Sequence, residues 1–255
     1  MSSRLTGSTT IVTGASRGIG RAIAAQVLAE GGNVVITARK AEDLETTARE
    51  IAEQAQADGR VLAVAGKADD PAHREQVVAA ALETFGSLDH LVNNAGINPA
   101  YGPLMQLDLD AARKITEVNA IGALAWVQAA HRAWMGEHGG SIVNVASVAG
   151  LRPAPGIDFY GASKAMLISL TQSLAVELAP SIRVNAVAPA VVKTRFAQAL
   201  VDGAQDSVQD LYPLGRFGEP EDIAHAVTYL LSPDSAWVTG QVHVLDGGAL
   251  LKGGV

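Results

Sequence analysis

The chain has 255 residues, of which 48% are hydrophobic but only 4% aromatic, with a formal charge of −7 and no cysteine. A chain of this length buries roughly 70–75% of its unfolded surface, enough for one large domain without a disulfide or metal to support it. The acidic balance and scattered bases exclude a nucleic acid or an anionic membrane as the main partner, and the lack of cysteine excludes a disulfide framework and a cysteine nucleophile.

Residues 9–12 form a short β-branched run that feeds directly into Thr13-Gly14-Ala15-Ser16-Arg17-Gly18-Ile19-Gly20, and a 3.6-period apolar segment follows over 19–28. This is a strand, a glycine turn and a helix. Glycines let a backbone approach a pyrophosphate, and a helix N-terminus offers free N–H groups to hold it. Residues 33–37 read as the second strand of a βαβ unit. After it, Ala38-Arg39-Lys40 presents two cations where an NAD site usually presents an acid, and Arg17 adds a third. A 2′-phosphate finds charge-assisted partners in this set, so NADP(H) is favoured over NAD(H).

Helix over 41–57, strand over 61–65, helix over 71–85 and strand over 88–93 continue the alternation. Asn93-Asn94-Ala95-Gly96 then falls at the carboxyl end of a parallel strand, where ligands bind in such sheets. Residues 107–137 have helical periodicity interrupted at 119–122. An asparagine among apolar residues needs a partner for its amide, which makes Asn119 either a site residue or a side chain that bonds neighbouring backbone.

Residues 141–145 are the fifth strand, with Ser147 just past its end. A Gly/Pro-rich loop returns the chain to a helix over 159–178 that carries Tyr160 and Lys164, four residues apart and so on one face. A nearby cation favours the phenolate, although lowering a tyrosine pKa by about three units needs roughly 4 kcal/mol and therefore a cleft. A sixth strand over 182–188 precedes a weakly patterned region, 190–217, that reads as a lid. Pro220 opens a helix over 221–231, and 241–245 is the last strand, ended by Asp246-Gly247-Gly248. The expected fold is a single α/β domain spanning 1–255, a doubly wound parallel sheet. No apolar run approaches the ~18 residues of a membrane span and no signal core opens the chain, so a soluble cytoplasmic protein is expected.

Taken together, Thr13-Gly14-x-x-x-Gly18-x-Gly20, Asn93-Asn94-Ala95-Gly96, Asn119, Ser147, Tyr160-x-x-x-Lys164 and Asp246-Gly-Gly resemble the short-chain dehydrogenase/reductase family over essentially the whole chain. The resemblance implies a Rossmann-type sheet of seven strands and hydride exchange between a nicotinamide cofactor and a carbonyl or secondary alcohol. Carried over by position, Tyr160 is the general acid, Ser147 orients the carbonyl oxygen, Lys164 lowers the tyrosine pKa and binds the nicotinamide ribose, and Asn119 holds a relay water. Gly14, Ser16, Arg17, Gly18, Ile19, Gly20, Arg39, Asn93, Ala95, Gly96, Pro189, Val192 and Thr194 are the implied cofactor contacts, with Tyr160 and Lys164.

Two departures stand out. Ala190 follows Pro189 where the family usually has glycine, and Lys67 stands near the place of an aspartate that touches the adenine, with Asp69 and Asp70 only later. By position the substrate pocket draws on Asn98, Tyr101, Leu151, Phe159, Val191 and Phe196, mostly apolar, which implies a hydrophobic ketone. Within the family the chain looks most like 3-oxoacyl-carrier-protein reductases and NADPH carbonyl reductases. A carrier-bound substrate directs attention to Arg113, Lys114, Arg132 and Arg152. The resemblance also implies a homotetramer. Oxidation of a secondary alcohol, and a non-catalytic dinucleotide sensor, are the competing readings. The six histidines (His73, His90, His131, His138, His225, His243) show no metal-ligand spacing, so no metal is expected.

Overall fold

The structure, a computed structural model, describes residues 3–57, 60–197, 201 and 208–252. Its centre is a sheet of seven strands: β1 (Thr9–Thr13), β2 (Asn33–Ala38), β3 (Val61–Ala65), β4 (His90–Asn93), β5 (Gly140–Val145), β6 (Ile182–Pro189) and β7 (Val242–Leu245). The order is β3-β2-β1-β4-β5-β6-β7, and each neighbouring pair is parallel. β1 is buried along its whole length, whereas the edge strands β3 and β7 are only partly covered. Continuous apolar runs in the middle of the sheet follow from burial on both faces.

On one face pack α1 (Gly18–Ala29), α2 (Ala41–Ala55) and the helix Pro220–Leu231, around Val12, Ile23, Val27, Ile36 and Ile223. The other face is covered by α3 (Pro71–Phe85), the 109–138 helical stretch and the helix Asp158–Glu177, around Ile11, Val77, Trp126, Ile142 and Val184. Helix boundaries follow local chemistry. Asp70 accepts the Ala72 N–H at 3.0 Å ahead of Pro71. Gly86 closes the same helix in the left-handed region with φ 77°.

The long helical segment expected over 107–137 is broken in a specific way. It begins as α4 (Leu109–Thr116), widens into a π turn over Glu117–Ile121 and resumes as α5 (Gly122–Ala130). A second π turn, His131–Met135, leads into the three residues Gly136–His138. The first π turn coincides with the sequence interruption, and the Gly122 N–H reaches back five residues to the Glu117 carbonyl. The strand expected from residue 88 starts only at His90. Of the lid expected over 190–217, residues 198–200 and 202–207 lie outside the described residues. The rest contains a turn at Arg195–Ala197 and a short helix at Val208–Leu211. Among the described residues no helix is long and apolar enough to cross a membrane.

β1 has β2 on one side and β4 on the other, so the strand order reverses there and a crevice opens beyond the carboxyl ends.

Candidate active site

That crevice is a cleft of about 1310 Å³. Drug-sized ligands usually occupy 300–1,000 Å³, so this one has room for a larger ligand and a substrate together. At one end it is lined by Arg17, Thr37, Arg39, Lys40, Asp43, Lys67 and Asp69, and at the other by Ser147, Tyr160, Lys164, Val191 and Phe196.

The glycine turn between β1 and α1 forms the middle of the floor. Gly14 has φ +67°, and a β-carbon there would stand 2.9 Å from the Ala95 Cα. One at Gly20 would meet the Asn94 Nδ2 at 2.5 Å and the Gly14 carbonyl at 2.6 Å. Only glycine lets the turn lie this close to the end of β4. The contact is stitched by Thr13, whose Oγ1 accepts the N–H groups of Asn94 and Ala95, each at 3.0 Å. Asn94 Nδ2 in turn donates to the Thr13 carbonyl at 2.8 Å. No acid occupies the first turn of α1, which leaves its positive dipole end open towards the cleft. This backbone cradle, followed by cations at Arg39 and Lys40, fits a dinucleotide.

Ser16, Arg17, Gly18, Ile19, Gly20, Gly14, Arg39, Ala95, Gly96, Pro189, Val192 and Thr194 all line the cleft with Ser147, Tyr160 and Lys164. Two of the expected site residues lie off the cleft wall. Asn93 does not line it. Its amide turns inward, donating to Asn144 at 2.9 Å and the Ala123 carbonyl at 3.2 Å, because successive strand residues face opposite ways. Asn94 takes the cleft position instead. Asn119 is also absent from the wall and only 1% exposed. Its oxygen accepts the Ile97 N–H at 2.8 Å, and its nitrogen donates to the Ile97 carbonyl and Ser163 Oγ, each at 3.0 Å. The Asn119 side chain therefore ties the π turn to the loop after β4 and to the Asp158–Glu177 helix.

Lys164 is 3% exposed and donates to the Val145 carbonyl at 2.7 Å. Burial pushes its pKa down to about 8. Its Nζ lies 5.6 Å from the centre of the Tyr160 ring. Tyr160 departs from expectation: desolvation pushes it up to about 12, outweighing a hydrogen-bonding interaction with Ser147 that acts the other way. Lys164 does not pull this phenol below its ordinary value; loss of water around the hydroxyl is the larger effect.

Phe196 packs on Tyr160 with ring centres 6.0 Å apart. Of the six expected pocket residues, only Val191 and Phe196 line the cleft. Tyr101 and Phe159 line an adjoining cavity of about 360 Å³ that shares Ile157 with the cleft, Tyr101 acts electrostatically on Tyr160, and Asn98 and Leu151 line neither cavity. Three of the four basic candidates for a carrier protein are engaged: Arg113 with Asp110 at 2.5 Å, Lys114 with Asp69, and Arg132 with Glu75 at 2.8 Å. Sequence reasoning missed Thr37, Gly66 and Arg195 as lining residues. Among the described residues no group of three or more His, Cys, Asp or Glu side chains is placed to hold a metal.

The seven-stranded parallel sheet, the glycine cradle and the Ser147, Tyr160 and Lys164 cluster together define a short-chain dehydrogenase/reductase, and the chain belongs to that family. It is an NAD(P)-dependent oxidoreductase. Residues 14–249 match the family model described as Enoyl-(Acyl carrier protein) reductase. Among curated relatives, the Dehydrogenase/reductase SDR family member 4 of Caenorhabditis elegans is 37% identical over 251 residues, covering 96% of each chain. Its rabbit (Oryctolagus cuniculus) counterpart is 40% identical over 244 residues, covering 94% of this chain and 92% of that protein. Levodione reductase superposes with a TM-score of 0.92 at 30% identity, covering 99% of this chain and 100% of that one. A glucose/ribitol dehydrogenase from Brucella melitensis gives a TM-score of 0.91 at 33% identity, covering 98% and 99%.

Proposed function

We propose that the protein reduces a ketone, a 3-oxoacyl thioester or another hydrophobic carbonyl compound, to a secondary alcohol with NADPH. The observation that carries this reading is the convergence of Ser147, Tyr160 and Lys164 on one wall of the cleft, beside Val191 and Phe196. A phenol held near 12 keeps its proton at neutral pH and so has one to give. When bound, the reduced dinucleotide supplies the hydride. As negative charge grows on the carbonyl oxygen, Tyr160 donates its proton and Ser147 holds the oxygen in line. Lys164, fixed on the Val145 carbonyl, keeps a cation behind the phenol and offsets the charge left on it. Asn119 positions the Ile97 loop beside Lys164.

The cradle residues Gly14, Ser16, Arg17, Gly18, Ile19 and Gly20 would hold the pyrophosphate, with Ala95, Gly96, Pro189, Val192 and Thr194 around the nicotinamide half. Arg17, Arg39, Lys40 and Lys67 outnumber the acids Asp43 and Asp69 at the far end, which favours a 2′-phosphate there. By resemblance to the family we also propose one domain, a substrate lid built on the described parts of 190–217, and a cytoplasmic homotetramer as the working form.

Titration of the purified protein with NADPH and NADH at fixed salt, followed by a ketone panel, tests the reading. A tenfold or greater preference for NADPH, about 1.4 kcal/mol, with alcohol formed from ketone is the expected result. Equal or better NADH binding, with turnover only of secondary alcohols, overturns it in favour of an oxidative dehydrogenase.

A further inference from the structure

Eight cationic side chains line the cleft: Arg17, Arg39, Lys40, Lys67, Lys114, Arg152, Lys164 and Arg195. The first four belong to the dinucleotide end. Lys114 is paired with Asp69, and Lys164 is fixed on the Val145 carbonyl. Two guanidinium groups remain, Arg152 and Arg195, and neither has a side-chain hydrogen bond or ion pair among the described residues.

Their placement is informative. Arg152 sits in the loop that runs from Ser147 to Tyr160, and Arg195 directly precedes Phe196, the ring packed on Tyr160. Arg152 lies near enough to Tyr212 to favour its phenolate, and Tyr212 is itself a lining residue that accepts the Val191 N–H at 3.4 Å. The same cleft is also lined by the apolar residues Ala154, Ile157, Val191, Phe196 and Ala249.

Among the described residues the nearby acids make the following contacts, and Asp246 acts on Tyr212 in the sense opposite to Arg152. Asp158 accepts the Ala154 N–H at 3.1 Å, and Asp246 accepts the N–H groups of Gly248 and Leu250 at 2.9 and 2.7 Å. Glu219 bonds Lys193 at 2.6 Å, and Asp222 bonds Arg216 at 2.6 Å. Among the described residues the acids lining the cleft, Asp43 and Asp69, are at the dinucleotide end. A chain of net charge −7 thus places Arg152 and Arg195, neither paired among the described residues, on the lining of its reaction cleft. A neutral hydrophobic ketone would have no use for them.

Resting on the ketone-reductase reading, we infer that the substrate is amphipathic, with an apolar body against Val191 and Phe196 and an anionic group, carboxylate or phosphate, held by Arg152 and Arg195. Planar guanidinium groups suit either anion, and their exposure makes the contact salt-sensitive.

The test compares 4-acetylbenzoate, 4-acetylphenyl phosphate and neutral 4-acetylbenzamide as matched ketones, with wild type, Arg152→Gln, Arg195→Gln and the double variant. Binding of each ketone to the NADP⁺-loaded protein is measured by calorimetry beside the kinetics. The inference predicts tighter binding and lower KM for at least one anion than for the amide. It predicts that this advantage shrinks about tenfold in Arg152→Gln and further in the double variant, while kcat and the amide's KM stay within about twofold. Added salt should erode the advantage in wild type only. Whichever anion gains more identifies the group. Equal binding of anions and amide by wild type overturns the inference. So does an equal rise in KM for all three ketones, or an Arg195→Gln effect confined to NADPH, which would make that arginine a cofactor contact. If anions bind preferentially but no ketone turns over, the anchor stands and the ketone-reductase reading falls.

Discussion

Asn119→Ala removes a side chain that makes three hydrogen bonds from an almost fully enclosed position. The Ile97 N–H and carbonyl each lose a partner, at 2.8 and 3.0 Å, while Ser163 Oγ keeps its bond to the Tyr160 carbonyl at 2.7 Å. Two backbone groups are thus left unpaired in a partly buried loop. At about 1–2 kcal/mol for each, the expected loss is about 3 kcal/mol. For a chain of this size 1 kcal/mol corresponds to roughly 2–4 °C, so thermal unfolding should shift down by about 6–12 °C. The same change should reach the chemistry. A β-carbon on Gly96 would lie 3.4 Å from the Lys164 Nζ and 3.5 Å from the Asn119 Oδ1, so the loop that Asn119 holds borders the ammonium directly. Circular dichroism melting gives the stability, and kcat/KM measured well below the melting point should fall about tenfold. A shift below about 2 °C with unchanged kcat/KM would refute the claim that this amide holds the π turn and the site loop together.

Gly66→Ala puts a β-carbon into the His73 ring, which is buried, edge-on to Trp126 and bonded to Thr37 Oγ1 at 2.6 Å. Overpacking of about 1–3 kcal/mol is expected, with weaker cofactor binding because Gly66 and Thr37 both line the cleft; urea denaturation and NADPH titration check the two effects. His90, bonded to Ser141 Oγ at 2.8 Å, is held by burial at a pKa of about 4, with Asp89 raising and Arg183 lowering it. Its folded pKa lies below its unfolded value, so the unfolded chain takes up the extra proton and stability falls as pH drops from about 6.5 towards 4. Between pH 7 and pH 5 this amounts to about 2 kcal/mol, and His90→Asn should flatten that limb in urea midpoints. Buried Lys164 behaves with the same sign at higher pH. Its folded pKa near 8 sits below the unfolded value of 10.5, so stability should rise with pH across that interval and Lys164→Met should abolish the rise.

The strands were legible because buried parallel strands must be apolar throughout, and the cleft followed from the glycine turn and the ends of β1, β4 and β5. The residues that sequence misplaced are those whose direction depends on register or on distant partners. Asn93 and Asn94 are both amides at a strand end, and only the pleat decides that Asn94 faces the cleft. Asn119 finds its partner at Ile97, a contact |i−j| = 22 residues away that no local pattern encodes. The π turn shows as an interruption, and Asn119 lies within it. Tyr101 and Phe159 line an adjoining cavity, where the two loops meet and the Gly102 N–H is bonded to the Gly156 carbonyl at 2.9 Å. For Tyr160 the spacing to Lys164 was visible, whereas the degree of desolvation, which sets the direction of its pKa, was not.

The central claim, that Tyr160 delivers the proton in ketone reduction, is tested most directly by Tyr160→Phe in single turnover with saturating NADPH. The change deletes one hydroxyl and leaves the ring against Phe196, so NADPH binding followed by fluorescence should stay within about threefold. The rate of NADPH consumption should fall by about 10²–10⁴, the range expected for loss of a general acid. A variant that binds NADPH normally and keeps more than about a tenth of the wild-type rate would contradict the assignment.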